Sequence, residues 1–285
     1  MRKILSLLFV VILSTCALFM LSLTAYADNS AVISSEVETT PTDSGYCGDN
    51  VTWTYYAETG TLEISGSGDM QGYASIQVPW YAYKNKIKKL SITKDVTSIG
   101  DFAFYDCKSL TSVSFEENSQ LTSIGDYAFR ECTSLTSIII PDNVTRIGFY
   151  SFYGCTSLGN ISIPFVGEKK VGTNNTHFGY IFGASSYSKN YDYVPASLKT
   201  VTITKNFAIT SYAFWGCKSL TNIAIPDSVT RIDKSAFNGC TSLTSMILPD
   251  CVTNIGDYAF RSCESLTSLI IPNDVSSIGS YAFDS

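Results

Sequence analysis

Between Leu135 and Cys155 the chain reads "LTSIIIPDNVTRIGFYSFYGC", and its apolar positions fall into three short groups. In "LTSIIIP" the alternation places Leu135, Ile138 and Ile140 on the inward side of a turn and short strand, which Pro141 ends. In "VTRIG", Val144 and Ile147 face inward and Gly148 permits a bend. The segment Ser151 to Cys155 is too short for an α-helix and predicts a single helical or 3₁₀ turn. The leucine that opens each group recurs as Leu110, Leu135, Leu158, Leu198, Leu220, Leu243 and Leu266, a unit of 23 residues stretched once by two and once by seventeen. One such coil cannot bury its own apolar side. Stacking the coils sets each Leu, Ile, Phe and Cys above its counterpart, so that the rows become a continuous core. The fold class predicted is therefore a solenoid of short strands and single turns, mainly β with little α.

The pattern ahead of the repeats is different. Val51, Trp53 and Tyr55 alternate, then Leu62 and Ile64 alternate beyond the turn at Glu58-Thr59-Gly60, which predicts an antiparallel hairpin. A glycine-rich loop and the aromatic "PWYAYK" follow. Residues 45–89 are thus expected to form a capping segment, with repeats over 90–285. Residues 28–44, rich in Ser, Thr, Glu and Asp without an aromatic, read as a flexible linker. Residues 1–27 begin with Arg2 and Lys3, continue in an apolar run, and end in Ala25-Tyr26-Ala27, the layout of a signal peptide cleaved after Ala27, the rival reading being an uncleaved membrane anchor.

The unit from Leu135 to Cys155 resembles the BspA-type leucine-rich repeat, and "CGDNVTWTYYAETGTLEISGSGDM" resembles the cap that often stands before such repeats in secreted bacterial proteins. The resemblance implies a curved solenoid that is secreted or held at the cell surface and serves adhesion or partner binding.

Composition narrows the partners. A formal charge of -6 opposes nucleic-acid phosphates, so no nucleic-acid partner is expected. A secreted chain would retain eight of its nine cysteines. Cys107, Cys132, Cys155, Cys217, Cys240 and Cys263 hold one position in successive units, and as a ladder they read better as small core-filling thiols than as disulfides. They lack the paired spacing and histidines of a zinc site, so no metal or other cofactor is expected. Cys251 is out of register, at a position held elsewhere by Asn143, Ser228 and Asp274, and is the candidate for an intermolecular bond. His177 is the single histidine and lies in no catalytic motif, and the turn carboxylates serve local hydrogen bonds, so no enzyme is expected.

The seventeen-residue stretch falls at about 165–197, where "FGYIF" is expected to keep the place of the usual turn and the remainder to protrude as a loop. His177, Tyr180, Tyr187, Tyr191 and Tyr193 are the candidate ligand-binding residues there, since rigid amphipathic rings give contact area at low entropic cost. The alternative is that these tyrosines pack back onto the solenoid. A second candidate surface is the hydroxylated ribbon of outward strand positions, such as Thr136, Ser137, Thr244 and Ser245. The last unit stops at "IGSYAFDS", before its cysteine and leucine, so an incomplete C-terminal repeat available for contact is expected. The function expected from these readings is protein or glycan binding outside the cell, the alternative being an accessory or spacer module of a larger secreted enzyme.

Overall fold

The computed structural model describes residues 40–74, 77–170 and 175–284. The expected signal peptide and residues 28–39 of the expected linker lie outside the described residues. The strands are β1 (Asp43–Tyr46), β2 (Val51–Tyr56), β3 (Thr61–Gly66), β4 (Gly68–Asp69), β5 (Lys89–Ile92), β6 (Val96–Ile99), β7 (Ser112–Phe115), β8 (Ser123–Ile124), β9 (Ser137–Ile139) and β10 (Arg146–Ile147). They continue as β11 (Asn160–Ile163), β12 (Thr200–Ile203), β13 (Ala208–Ile209), β14 (Asn222–Ala224), β15 (Arg231–Ile232), β16 (Ser245–Ile247), β17 (Asn254–Ile255), β18 (Ser268–Ile270) and β19 (Ser277–Ile278). Asp43 and Ser44, read from sequence as the end of a linker, are instead paired with β2 as an antiparallel strand.

Most coils contribute one longer strand, one short strand and one turn; of the two strands, the coil that carries the insert has the longer alone. The longer strands stack in parallel as β3-β5-β7 and as β9-β11-β12-β14-β16-β18, and the short ones as β4-β6-β8-β10 and β13-β15-β17-β19. β3 belongs both to the hairpin with β2 and to the parallel ladder with β5, so the capping segment supplies the first coil of the stack. The hairpin covers the first edge of the sheet, and Trp80 closes the core beneath it. Trp80 is fully buried, stacks on Phe104 at 5.6 Å and donates its indole N–H to the Ala103 carbonyl at 3.0 Å.

The turn segment is hydrogen-bonded between coils as well. The N–H groups of Tyr127, Phe129 and Glu131 donate to the carbonyls of Phe149, Ser151 and Tyr153 in the next coil. Within the coil, Arg130 and Cys132 donate back to Tyr127 and Phe129, the i to i+3 pattern of a 3₁₀ turn. The geometry requires left-handed backbone at non-glycine positions, as at Tyr127 (φ 59°) and Glu131 (φ 61°). Such residues cost of order 1–3 kcal/mol and persist because the coils on either side determine the conformation. One return on that cost is a stacked aromatic row, with Phe102 to Tyr127 at 4.6 Å and Tyr127 to Tyr150 at 5.3 Å.

The repeated glycine has a different reason from the one its sequence suggests. Gly148 does not adopt positive φ. A Cβ there would lie 2.5 Å from the Asp126 backbone nitrogen, because the preceding coil passes directly against it. Asp126 uses the approach, accepting the Phe149 N–H at 3.0 Å.

Phenylalanines fill the centre of the stack. Phe104, Phe129 and Phe152 follow one another at 5.3 and 5.4 Å, and Phe214, Phe237 and Phe260 at 5.5 and 5.1 Å, all buried. Removing one side chain leaves a cavity that two flanking coils cannot collapse into without breaking their ladders. Phe237→Ala is expected to destabilise the fold by about 3–5 kcal/mol in chemical denaturation, whereas Phe207→Ala, at a residue 72% exposed, should change stability by less than about 0.5 kcal/mol.

Candidate functional site

Two breaks in the repeat each interrupt one sheet. The two-residue stretch lies between β7 and β8, in "FEENSQ", and no ladder joins β7 to β9. The resulting cleft, about 640 Å³, has Val113, Phe115 and Ile139 among its walls, with Glu116 and Asp142. The longer stretch lies between β10 and β13, which are likewise unpaired.

Within the longer stretch the chain folds back more than a protruding loop would. Phe178–Phe182 is a 3₁₀ helix whose five residues are all buried, followed by a second 3₁₀ turn at Tyr187–Lys189 and the one-turn helix α1 (Asn190–Tyr193). Phe178 donates to the Ala213 carbonyl, Phe152 donates to the Ile181 carbonyl, and Phe178 packs on Phe214 at 5.1 Å. "FGYIF" therefore takes the place of the usual turn and carries the aromatic core through the insert.

The candidate residues separate. Tyr180 is buried, lies 5.0 Å from Phe149, and burial pushes its phenol up to about 12; it is core and not a contact residue. Tyr193 is half-buried near Tyr153, and Tyr191 is exposed with the Lys218 ammonium 5.4 Å from its ring centre. His177 and Tyr187 line one cavity. It measures about 540 Å³ and is also lined by Ser185, Ser186, Ser211 and Tyr212. Tyr187 stacks on Tyr212 at 4.1 Å and meets Trp215 edge-on. Ser211 and Tyr212 sit in the next coil, outside the insert, so no sequence pattern within the insert could have identified them. Their signal was the aromatic at the left-handed turn position, shared with Tyr127 and Tyr258.

His177 is 6% exposed, and its Nδ1 lies 3.1 Å from Oδ1 of the fully buried Asn190. That oxygen also accepts the Gly179 N–H, while Asn190 Nδ2 donates to the Ala213 carbonyl. The amide orientation is thereby fixed, so His177 Nδ1 carries the proton and donates. Among the described residues Nε2 has no hydrogen-bond partner. Burial holds the His177 pKa below the ordinary imidazole value, against the opposing pull of the Asn190 hydrogen bond.

The ladder cysteines are buried free thiols. Sγ of Cys132, Cys155, Cys240 and Cys263 donates to the carbonyls of Phe104, Phe129, Phe214 and Phe237 in the preceding coil, at 3.2–3.3 Å. Burial pushes Cys107, Cys155 and Cys263 up to about 12, which suppresses the thiolate and with it nucleophilic reactivity. Cys47 is buried in the cap, and Cys251 is exposed. Among the described residues no three His, Cys, Asp or Glu side chains converge as metal donors.

The outer face of the long sheet presents two rows in register. Ser137, Asn160, Thr200, Asn222, Ser245 and Ser268 form the hydroxylated and amide row. Two residues on, Ile139, Ser162, Thr202, Ala224, Ile247 and Ile270 form a second row that turns apolar in its last three strands. The sequence reading placed the first row correctly and overlooked the second, because in "SIII" and "SLII" the outward isoleucine is flanked by inward ones.

The model of the BspA type leucine rich repeat region matches residues 74–175 and 187–285, in six copies. Among solved structures, a leucine rich cell surface protein from Faecalibacterium prausnitzii is 25% identical, with a TM-score of 0.39; the match covers 81% of this chain and 55% of that one. This chain thus spans about half the length of that protein. A leucine-rich repeat protein from Bacteroides ovatus is 23% identical, with coverage of 84% and 91% and a TM-score of 0.38. The Treponema pallidum leucine rich repeat protein is 19% identical, with coverage of 80% and 94% and a TM-score of 0.37. No curated protein matches the chain.

Two outcomes follow from these environments. In the chain from residue 40 onward, a thiol reagent applied under native conditions should modify one cysteine rapidly, and Cys251→Ser should abolish that fast phase; rapid modification of a second thiol would contradict the burial described. His177 binds a proton more readily unfolded than folded, so its contribution to stability is complete above the unfolded pKa and declines as pH falls through it. Between about pH 7.5 and about pH 5.5 the thermal midpoint of His177→Gln should fall less than that of the parent.

Proposed function

The chain belongs to the BspA-type leucine-rich repeat family, and on that premise we propose that it is a non-enzymatic, secreted or cell-surface module that binds an extracellular protein through the outer face of its long sheet. The observation that carries the reading is the apolar end of the second outward row. Ile247 and Ile270 are 84% and 79% exposed and stand opposite each other in the β16–β18 register. Ala224 precedes them and Ile271 adjoins them. Contiguous exposed isoleucine contributes nothing to the core on the other side of the strand, and such patches mark contact surfaces.

The binding mechanism is passive. β16 is held by ladders on both sides and β18 by its ladder to β16, with the buried row beneath, so the outward side chains lose little backbone freedom on contact. The hydroxyls of Ser245 and Ser268 flank the isoleucines and supply a polar rim.

The test is immobilised extracellular-matrix proteins and glycans probed with the secreted chain and with the Ile247→Ser, Ile270→Ser double variant. Retention on at least one protein, reduced about tenfold or more in the variant without loss of thermal stability, is the expected result. Equal binding by the two chains, or silence across the panel, would favour a spacer role and overturn the reading.

A further inference from the structure

We propose that the cavity beside the insert is a second binding site, for a single neutral sugar unit, independent of the sheet face. Four observations meet there. The volume, about 540 Å³, lies within the range of small-molecule sites. Two aromatic rings, Tyr187 and Tyr212, stand in its wall as a stacked pair, with Tyr187 partly exposed. Three hydroxyls, of Ser185, Ser186 and Ser211, lie around it. The fourth is His177, a polar side chain more than nine-tenths buried that reaches the cavity wall.

The chemistry selects the ligand class. Asn190 consumes His177 Nδ1–H, which leaves Nε2 as a lone-pair acceptor without a partner among the described residues. A sugar hydroxyl can donate to that lone pair. The serine hydroxyls can donate or accept as the ligand requires. The tyrosine pair offers apolar area of the kind the C–H face of a pyranose covers. No Lys, Arg, Asp or Glu is among the described residues lining the cavity, so a charged ligand would be desolvated without a compensating partner. A neutral polyhydroxylated ring satisfies all of these conditions together.

Asn190 sets the orientation of His177. Asn190 is fully buried and spends its whole amide on the Gly179 N–H, the Ala213 carbonyl and His177. That network fixes the imidazole ring beside the cavity, with Nδ1 turned to Asn190.

The experiment titrates the full chain with free glucose, galactose, mannose and N-acetylglucosamine by saturation-transfer NMR and calorimetry, and in parallel applies it to an array of neutral glycans. His177→Phe removes the acceptor at similar bulk, Tyr187→Ala removes part of the wall, and Tyr191→Ala, outside the cavity, is the control. At least one neutral sugar should bind, with affinity about tenfold weaker or more in His177→Phe and in Tyr187→Ala and unchanged in Tyr191→Ala. Binding to free sugar identifies a monosaccharide as the source, and binding to array glycans alone, with the same losses, identifies a glycan terminus. Glucose 6-phosphate should bind more weakly than glucose. No binding in either format, equal binding by the parent and both cavity variants, or preference for the phosphorylated sugar would each overturn the proposal. The Ile247→Ser, Ile270→Ser variant should retain full sugar binding, so failure of one site is distinguishable from failure of the other.

Discussion

No coil of this protein can bury its own apolar side, and everything else in the structure follows from that constraint. A unit of about 23 residues with one longer strand, one short strand and a turn has a core face only when another coil lies on it. Stability is therefore held between coils: in parallel ladders on two faces, in turn-to-turn hydrogen bonds on the third, and in the phenylalanine row at the centre. The left-handed tyrosines and the tight Gly-to-Asp approach are local costs accepted because the spacing between coils is set by those rows.

The same constraint explains how the chain tolerates its two irregularities. The two-residue stretch breaks the long sheet between β7 and β9, yet β8 and β10 still pair, and the Phe129 N–H still reaches the Ser151 carbonyl. The insert breaks the short sheet between β10 and β13, yet β11 and β12 pair directly across it. The breaks fall on different faces, so at every level of the stack some ladder remains continuous. Each break also opens a cavity at the level where it occurs. Irregularity in the repeat is thus converted into concave surface without dividing the core.

Charge has a minor part in this architecture. The ion pairs are mostly at the surface, such as Arg146 with Asp126 at 2.7 Å and Arg231 with Asp233 at 3.1 Å, where such pairs contribute little. Arg130 is an exception in kind: its guanidinium lies 5.0–5.8 Å from the ring centres of Tyr105, Tyr127, Tyr150 and Tyr153, so it ties together the aromatic row of the turn face.

By itself the sequence determined the solenoid, because a fixed period with apolar residues at fixed places admits stacking and little else. It determined which residues of each unit face inward, as Leu135, Ile138, Ile140, Val144 and Ile147 do, and that the cysteines sit at one corner. Only the tertiary structure decided what the insert does. Whether Tyr180 is core and Tyr187 is wall depends on Phe149 and Tyr212, residues of neighbouring coils that are distant in sequence. The His177 tautomer likewise depends on Asn190 and on backbone groups of two segments. Repetition reads out the contacts each coil shares with its copies, whereas a site built where the copies differ depends on which unlike residues meet, and one period carries no record of that.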